Sequence, residues 1–229
     1  MRSAFAVMAA DPVLAAGIGV RRGRRWAIRS ASFRVGPPMP GGYALGVLVT
    51  DPLESAALVD VLAGVVRPEY GELRVLGYDM SSGRGRAAAR ARVGVARRGS
   101  RQLPGMRIRG LVEHAARLAG PGSGDRHVLA AAILDRLALS PWSEVQVRLA
   151  PESVARRARL AAAAVHQPDL LLLDSLLDGL PQRDARTLAE NICTLGRDTS
   201  IMLAGRDRGT LEVACDDILF LSNGVLVSS

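Results

Sequence analysis

LGVLVTDPLESAALVDVLAG, Leu45 to Gly64, decides the fold. With Ala44 it predicts a buried strand over 44–49, a turn over Thr50–Leu53, and an apolar helix from about Ser55 to Ala63. A strand–turn–helix unit early in an α/β chain is a natural place for a phosphate-binding loop. The helix N-terminus there offers free N–H groups and the positive end of a dipole. This turn nevertheless contains no glycine, and the helix begins without lysine.

The composition narrows what the chain can do. It has 229 residues, 48% of them hydrophobic and 3% aromatic, so the core is built mainly from Leu, Val and Ala. All 30 basic residues are arginine. A Schiff base, a lysine general base and a phosphate-loop lysine are therefore excluded, and GC-rich coding accounts for most of the Arg and Ala bias. Two cysteines, Cys193 and Cys215, are too few for a disulfide framework or metal site, and both are expected as buried thiols. The first residues make a poor signal peptide. No stretch reaches the ~18 apolar residues of a membrane span.

Outward from the opening stretch, Val13–Val35 predicts a hairpin turning at Arg21–Arg25, with Ala27, Ala31, Phe33 and Val35 inward and Ser30, Ser32 and Arg34 outward. Gly17-Ile18-Gly19 is not followed by a helix and is set aside as a dinucleotide fingerprint. Pro37, Pro38, Pro40, Gly41 and Gly42 break the chain before the central strand. A short strand is expected over 73–79, a polar Arg-rich stretch over 81–92, and another strand over 93–96. Residues 103–165 have helical patterning: one helix stopping at Gly120, a loop at 121–125, a second helix over 128–139, and a third over 153–166. Leu170–Asp174 is an apolar run closed by an acid, as in a buried parallel strand. A helix (183–195), a strand (201–204), a short helix (210–215) and a hairpin turning at Asn223-Gly224 complete the chain.

This order resembles the ATP-binding cassette (ABC) ATPase subunit of membrane transporters over nearly the whole length. Val61-Leu62-Ala63-Gly64, followed by Arg67-Pro68-Glu69-Tyr70-Gly71-Glu72-Leu73 and Gly77-Tyr78-Asp79, is similar to the run after the family's phosphate loop. Leu103–Leu118 resembles the start of its helical subdomain, His166–Asp174 its Walker B segment, and Gly179-Leu180 the start of its D-loop. Ala214–Asp217 and Leu221–Gly224 resemble its closing hairpin. The resemblance implies an α/β, P-loop NTPase-like cassette in one domain. Residues 12–100 and 161–229 would form a parallel core sheet with an N-terminal antiparallel β subdomain, and residues 103–160 an inserted helical subdomain.

The positions that carry nucleotide chemistry in that family are altered. Its phosphate loop, G-x-x-x-x-G-K-S/T, aligns with Val49 and Glu54-Ser55-Ala56, with Asp51 and Pro52 between. Pro52 lacks an N–H, Glu54 adds negative charge, and Ala56 offers no hydroxyl to Mg²⁺. Arg22 stands where an aromatic would stack on adenine, and Arg98 where the Q-loop glutamine would be. The signature L-S-G-G-Q falls on Ala150, Pro151, Glu152, Ser153 and Val154. The general-base position holds Ser175, the D-loop aspartate position Pro181, and the switch-histidine position Arg206; the Walker B acid, Asp174, is retained. A missing lysine and an added carboxylate are each worth up to about 4 kcal/mol at the phosphates, against the ~8 kcal/mol behind micromolar affinity.

The implied reading is a pseudo-ATPase with no cofactor, ATP and Mg²⁺ being held weakly or not at all, and with no catalytic or metal residues. It would act as an assembly or regulatory subunit at the inner face of the cell membrane, docked through about residues 97–120 on a membrane-embedded transporter subunit, or paired with itself or another such subunit. An ABC ATPase with an unconventional site and a basic scaffold contacting nucleic acid are the alternatives. The seven arginines between Arg84 and Arg101 have no interleaved aromatics, which favours a solvated or lipid-facing surface over a nucleic-acid one. Arg22, Arg98, Arg206, Asp51, Glu54 and Asp174 are expected around the former phosphate site, as an ion-pair cluster fixing the lobes or as solvated surface. His114, His127 and His166 are expected to be surface or packing residues.

Overall fold

The computed structural model describes residues 11–38, 43–99, 105–118 and 126–228. The expected break at Pro40–Gly42, the helix stop at Gly120, the 121–125 loop and the residues Arg101, Leu103 and Pro104 lie outside them.

A hairpin comes first, β1 (Val13–Arg22) and β2 (Arg25–Val35), paired antiparallel. The central strand β3 (Ala44–Val49) leads into helix α1 (Pro52–Leu62), after which β4 (Tyr70–Val75) and β5 (Tyr78–Asp79) extend the hairpin on the β1 side. Helix α2 (Gly83–Arg90) precedes β6 (Val93–Arg97). Three helices follow: α3 (Ile108–Leu118), α4 (Arg126–Arg136) and α5 (Glu152–Ala164). The chain returns through β7 (Leu170–Asp174), α6 (Gln182–Leu195), β8 (Ser200–Gly205) and α7 (Arg208–Ala214), and closes with the hairpin β9 (Asp217–Ser222) and β10 (Val225–Ser228). The ten strands form one sheet in the order β5-β4-β1-β2-β10-β9-β3-β8-β7-β6. Its β9-β3-β8-β7-β6 half is parallel and its other half mainly antiparallel.

From Ala57 onward helix α1 is buried, packing against β1 and β2 as well as β3, β7 and β8. Leu58, Val61 and Leu62 are fully buried, worth roughly 1.5–3 kcal/mol each. The helix ends in a Schellman arrangement: Gly64 has φ +68°, its N–H meets Val61 O, and the Val65 N–H meets Asp60 O at 2.9 Å.

Three expectations are corrected. Helix α1 starts at Pro52, about three residues early, because Asp51 caps it, accepting from Leu53 N at 2.8 Å, and Pro52 occupies the first helical position. Residues 83–90 are helical, started by Ser82, whose hydroxyl accepts from Gly85 N at 2.9 Å. Cys193 is exposed on α6, whereas Cys215 is half-buried.

Candidate functional site at the strand-helix junction

Because α1 starts at Pro52, only Thr50 and Asp51 separate it from β3. Val49 is the last, buried residue of the strand. Asp51 already takes the Leu53 N–H. Glu54 turns away from the junction's mouth: it is 6% exposed, and one carboxylate oxygen accepts from Gly224 N at 2.7 Å in the β9–β10 turn. Its other oxygen is buried without a partner, and burial holds this carboxyl above its ordinary range. Gly224 O in turn accepts from Arg29 N and Ser30 N of β2. Glu54 thus pins the closing hairpin, and through it β2, to the start of α1.

One helical residue further, Ser55 Oγ donates to Asp174 at the end of β7. Asp174 also accepts from Arg97 at 3.2 Å and from the Ser175 hydroxyl at 3.3 Å. Arg97 reaches across to Asp60 of α1, and Asp60 pairs with Arg22 from the tip of β1. Arg22 lies 3.4 Å from Ala56 O as well. The chain of charges Arg22–Asp60–Arg97–Asp174 therefore ties the antiparallel hairpin to α1 and the parallel core. This corrects the expected cluster. Asp51, Glu54, Arg98 and Arg206 contribute no ion pair to this chain of charges, and Asp60 and Arg97, missed from the sequence, hold its centre. Asp60 was detectable in principle: an acid inside an otherwise apolar helix has to be paired. The Arg98 N–H donates to Asp174 O at 3.0 Å, and its guanidinium lies beside Gly179.

Beyond β7 a second polar group organises the loop. Ser175 adopts φ +54°, the left-handed region that L residues rarely take. Arg206 donates from its backbone N and its Nε to Asp178, at 3.0 and 3.2 Å. Arg156, only 1% exposed, donates to the carbonyls of Leu176 and Asp178 at 3.0 and 2.7 Å, and to Glu152 at 2.8 Å. Arg156 was not singled out by the sequence; its neighbour Arg157 reaches only Leu137 O, at 3.5 Å. Of the signature-equivalent residues, Ala150 and Pro151 precede α5, Glu152 and Ser153 form its first turn, and Val154 is buried.

Beside the junction opens a cleft of about 330 Å³, lined by Arg22, Arg24, Arg25 and Arg29 with Trp26, Asp51 and Glu54. Trp26 packs edge-on to Tyr70, with ring centroids 5.4 Å apart, and Arg21 lies 4.2 Å over its ring. A magnesium–triphosphate group held as in a glycine–lysine phosphate loop does not fit these residues. The carboxylate of Glu54 is fixed by Gly224, Ala56 has no hydroxyl, and the oxygens of Asp174 are bound by Ser55, Ser175 and Arg97.

No family model matches the chain. Sequence similarity extends to the Nod factor export ATP-binding protein I of Bradyrhizobium diazoefficiens, 26% identical over 92% of this chain and 68% of the relative. It extends also to the methionine import ATP-binding protein MetN 2 of Burkholderia mallei, 23% identical over 82% of this chain and 48% of the relative. Among solved structures, cbiO1 of Clostridium perfringens, part of the ABC transporter complex cbiONQ, superposes with TM-score 0.81 at 15% identity, covering 95% of this chain and 87% of that one. A nucleotide-free ATP-binding cassette from an ABC transporter superposes with TM-score 0.78 at 15% identity, covering 95% and 90%. The expectation of no cofactor, with ATP and Mg²⁺ weak or absent, is overturned here: the relatives are named ATP-binding proteins, so nucleotide is the ligand class of the proteins this chain resembles. Sequence similarity and fold together support an ABC-type nucleotide-binding domain.

Proposed function

We propose that the chain is the cassette component of an ABC-type membrane transporter, carried at the inner face of the membrane by a membrane-embedded partner, and that its own site does not turn over ATP. One observation carries the second half. Asp174, the acid at the end of β7, is held by Arg97 and Ser55, and the next residue is Ser175, which cannot act as a general base at neutral pH. No helix among the described residues is long and apolar enough to cross a membrane, which is consistent with attachment through a partner. The subunit's contribution is then to assembly or regulation. The test is ATP turnover by the purified chain and by Asp174→Asn. Both are expected at background. Turnover above background that disappears in Asp174→Asn overturns the reading.

The arginine-lined cleft supports a second reading, in which nucleotide is bound without hydrolysis. Arg24, Arg25 and Arg29 line this cleft and suit the oxygens of a phosphate, with Trp26 as reporter. A saturable change in Trp26 fluorescence on titration with Mg-ATP, lost in Arg25→Ala/Arg29→Ala, supports it. An unchanged spectrum removes it.

A further inference from the structure

The start of α1 has no N–H to offer an anion. Pro52 lacks one, the Leu53 N–H is taken by the Asp51 side chain at 2.8 Å, and the N–H groups of Glu54 and Ser55 go to Asp51 O at 3.0 and 3.3 Å. An anion beside this junction therefore has to be met by side chains. The cleft of about 330 Å³ supplies them from the β1–β2 hairpin. Arg24, Arg25 and Arg29 are exposed, and none of them is in an ion pair among the described residues. Arg29 is also held in place: its stem packs on the β9–β10 turn, where a Cβ on Gly224 would come 2.9 Å from Arg29 Cγ. Arg22, the fourth guanidinium of the lining, is committed to Asp60.

The same cleft is poorly made for a base. Trp26 already spends its ring on its neighbours: Arg21 lies 4.2 Å over it, and Tyr70 packs against it edge-on at 5.4 Å. Asn223 is the one neutral carboxamide in the lining, and it leans on Ser222 Oγ at 3.5 Å. The two acids of the lining are engaged as well. Glu54 is 6% exposed and accepts from Gly224 N, and Asp51 caps α1. What remains open is a set of planar, forked cations whose donors match phosphate oxygens.

We propose that this cleft binds a polyphosphate group through Arg24, Arg25 and Arg29 without reading what the phosphates are attached to, so that inorganic polyphosphate and a nucleoside triphosphate are equivalent ligands. The inference rests on the reading in which the cleft holds nucleotide without hydrolysis, and it narrows the ligand from nucleotide to phosphate.

The probes are inorganic tripolyphosphate, ATP and adenosine, titrated calorimetrically into the full chain without added metal. One tripolyphosphate per chain is expected, with ATP within about tenfold of it and no binding of adenosine. Arg25→Gln/Arg29→Gln should weaken tripolyphosphate by about tenfold or more. Arg67→Gln/Arg84→Gln removes the same charge from exposed positions outside the cleft and should change it by less than about twofold. Asp51→Asn keeps a capping side chain and removes the more open acid of the lining, so it should bind tripolyphosphate more tightly. If the hairpin variant fails to fold, Asp51→Asn decides, and binding no tighter than in the native protein overturns the proposal. ATP binding more than about tenfold tighter than tripolyphosphate, or binding of adenosine, means that the base is read. The nucleotide reading then stands and this inference falls. No binding of either phosphate probe overturns both. Equal weakening in the two double variants overturns this inference as well, since the attraction is then that of a basic surface rather than of the cleft.

Discussion

Arg97 joins Asp60 to Asp174. One guanidinium bridges the last turn of α1 and the end of β7, and the two carboxylates it holds have side chains only 12% and 13% exposed. Removing the bridge leaves Asp60 with Arg22 alone and the Asp174 carboxylate with only the Ser55 and Ser175 hydroxyls. Arg97→Met is expected to destabilise the fold by about 2–4 kcal/mol, as for other broken buried pairs. Asp60→Asn should cost less, since Arg97 keeps Asp174. Urea unfolding measures both, and a loss below about 0.5 kcal/mol for Arg97→Met would show that the bridge does not hold the two elements together.

What the sequence made legible here was the backbone, and what it hid was the polar wiring. The β7 strand was readable to the residue because an unbroken apolar run closed by an acid has few other solutions. Helix α1 was misplaced by one turn because Asp51-Pro52, read as part of a loop, is a cap followed by a first helical residue. The partners of Asp174 were hidden for a different reason. Arg97 lies 77 residues from Asp174 and 37 from Asp60, and the three meet only once α1 is packed beside β7. With 30 arginines to choose from, spacing alone could not separate the buried Arg156 from the neighbouring Arg157.

Glu54 gives a pH signature. Burial raises its folded-state pKa above the ordinary 4.5. A raised acid contributes stability that is fully present below the unfolded value and is lost as pH rises through the folded one. Glu54→Gln keeps an acceptor for the Gly224 N–H and removes the titration. The stability of the native protein relative to Glu54→Gln should therefore fall as pH rises from 4 towards neutrality, read as a widening gap in Tm between the two proteins. Parallel melting curves with no pH-dependent gap would place the proton elsewhere.

Arg156 and Arg157 form an internal control. Arg156→Met leaves the carbonyls of Leu176 and Asp178 without their buried donor and should cost about 3 kcal/mol. Arg157→Met removes only a 3.5 Å contact to Leu137 O and should stay within about 0.5 kcal/mol. Urea midpoints separate the two. Equal losses would mean that helix propensity, not the carbonyl grip, sets the cost.

The two thiols should label in different states. Cys193 is exposed, but its sulfur sits 3.8 Å from Ala214 O and partial burial raises its pKa, so a maleimide should react slowly at pH 7.5 and faster at pH 9. Cys215 is pushed up to about 12 by burial, with its sulfur against Gly46. The native protein should therefore accept one label per chain and the denatured protein two, since only two cysteines are present. Mass spectrometry after timed labelling reads the count directly. Two labels acquired at equal rates under native conditions would show that the α7–β9 junction opens far more readily than its packing against β3 implies.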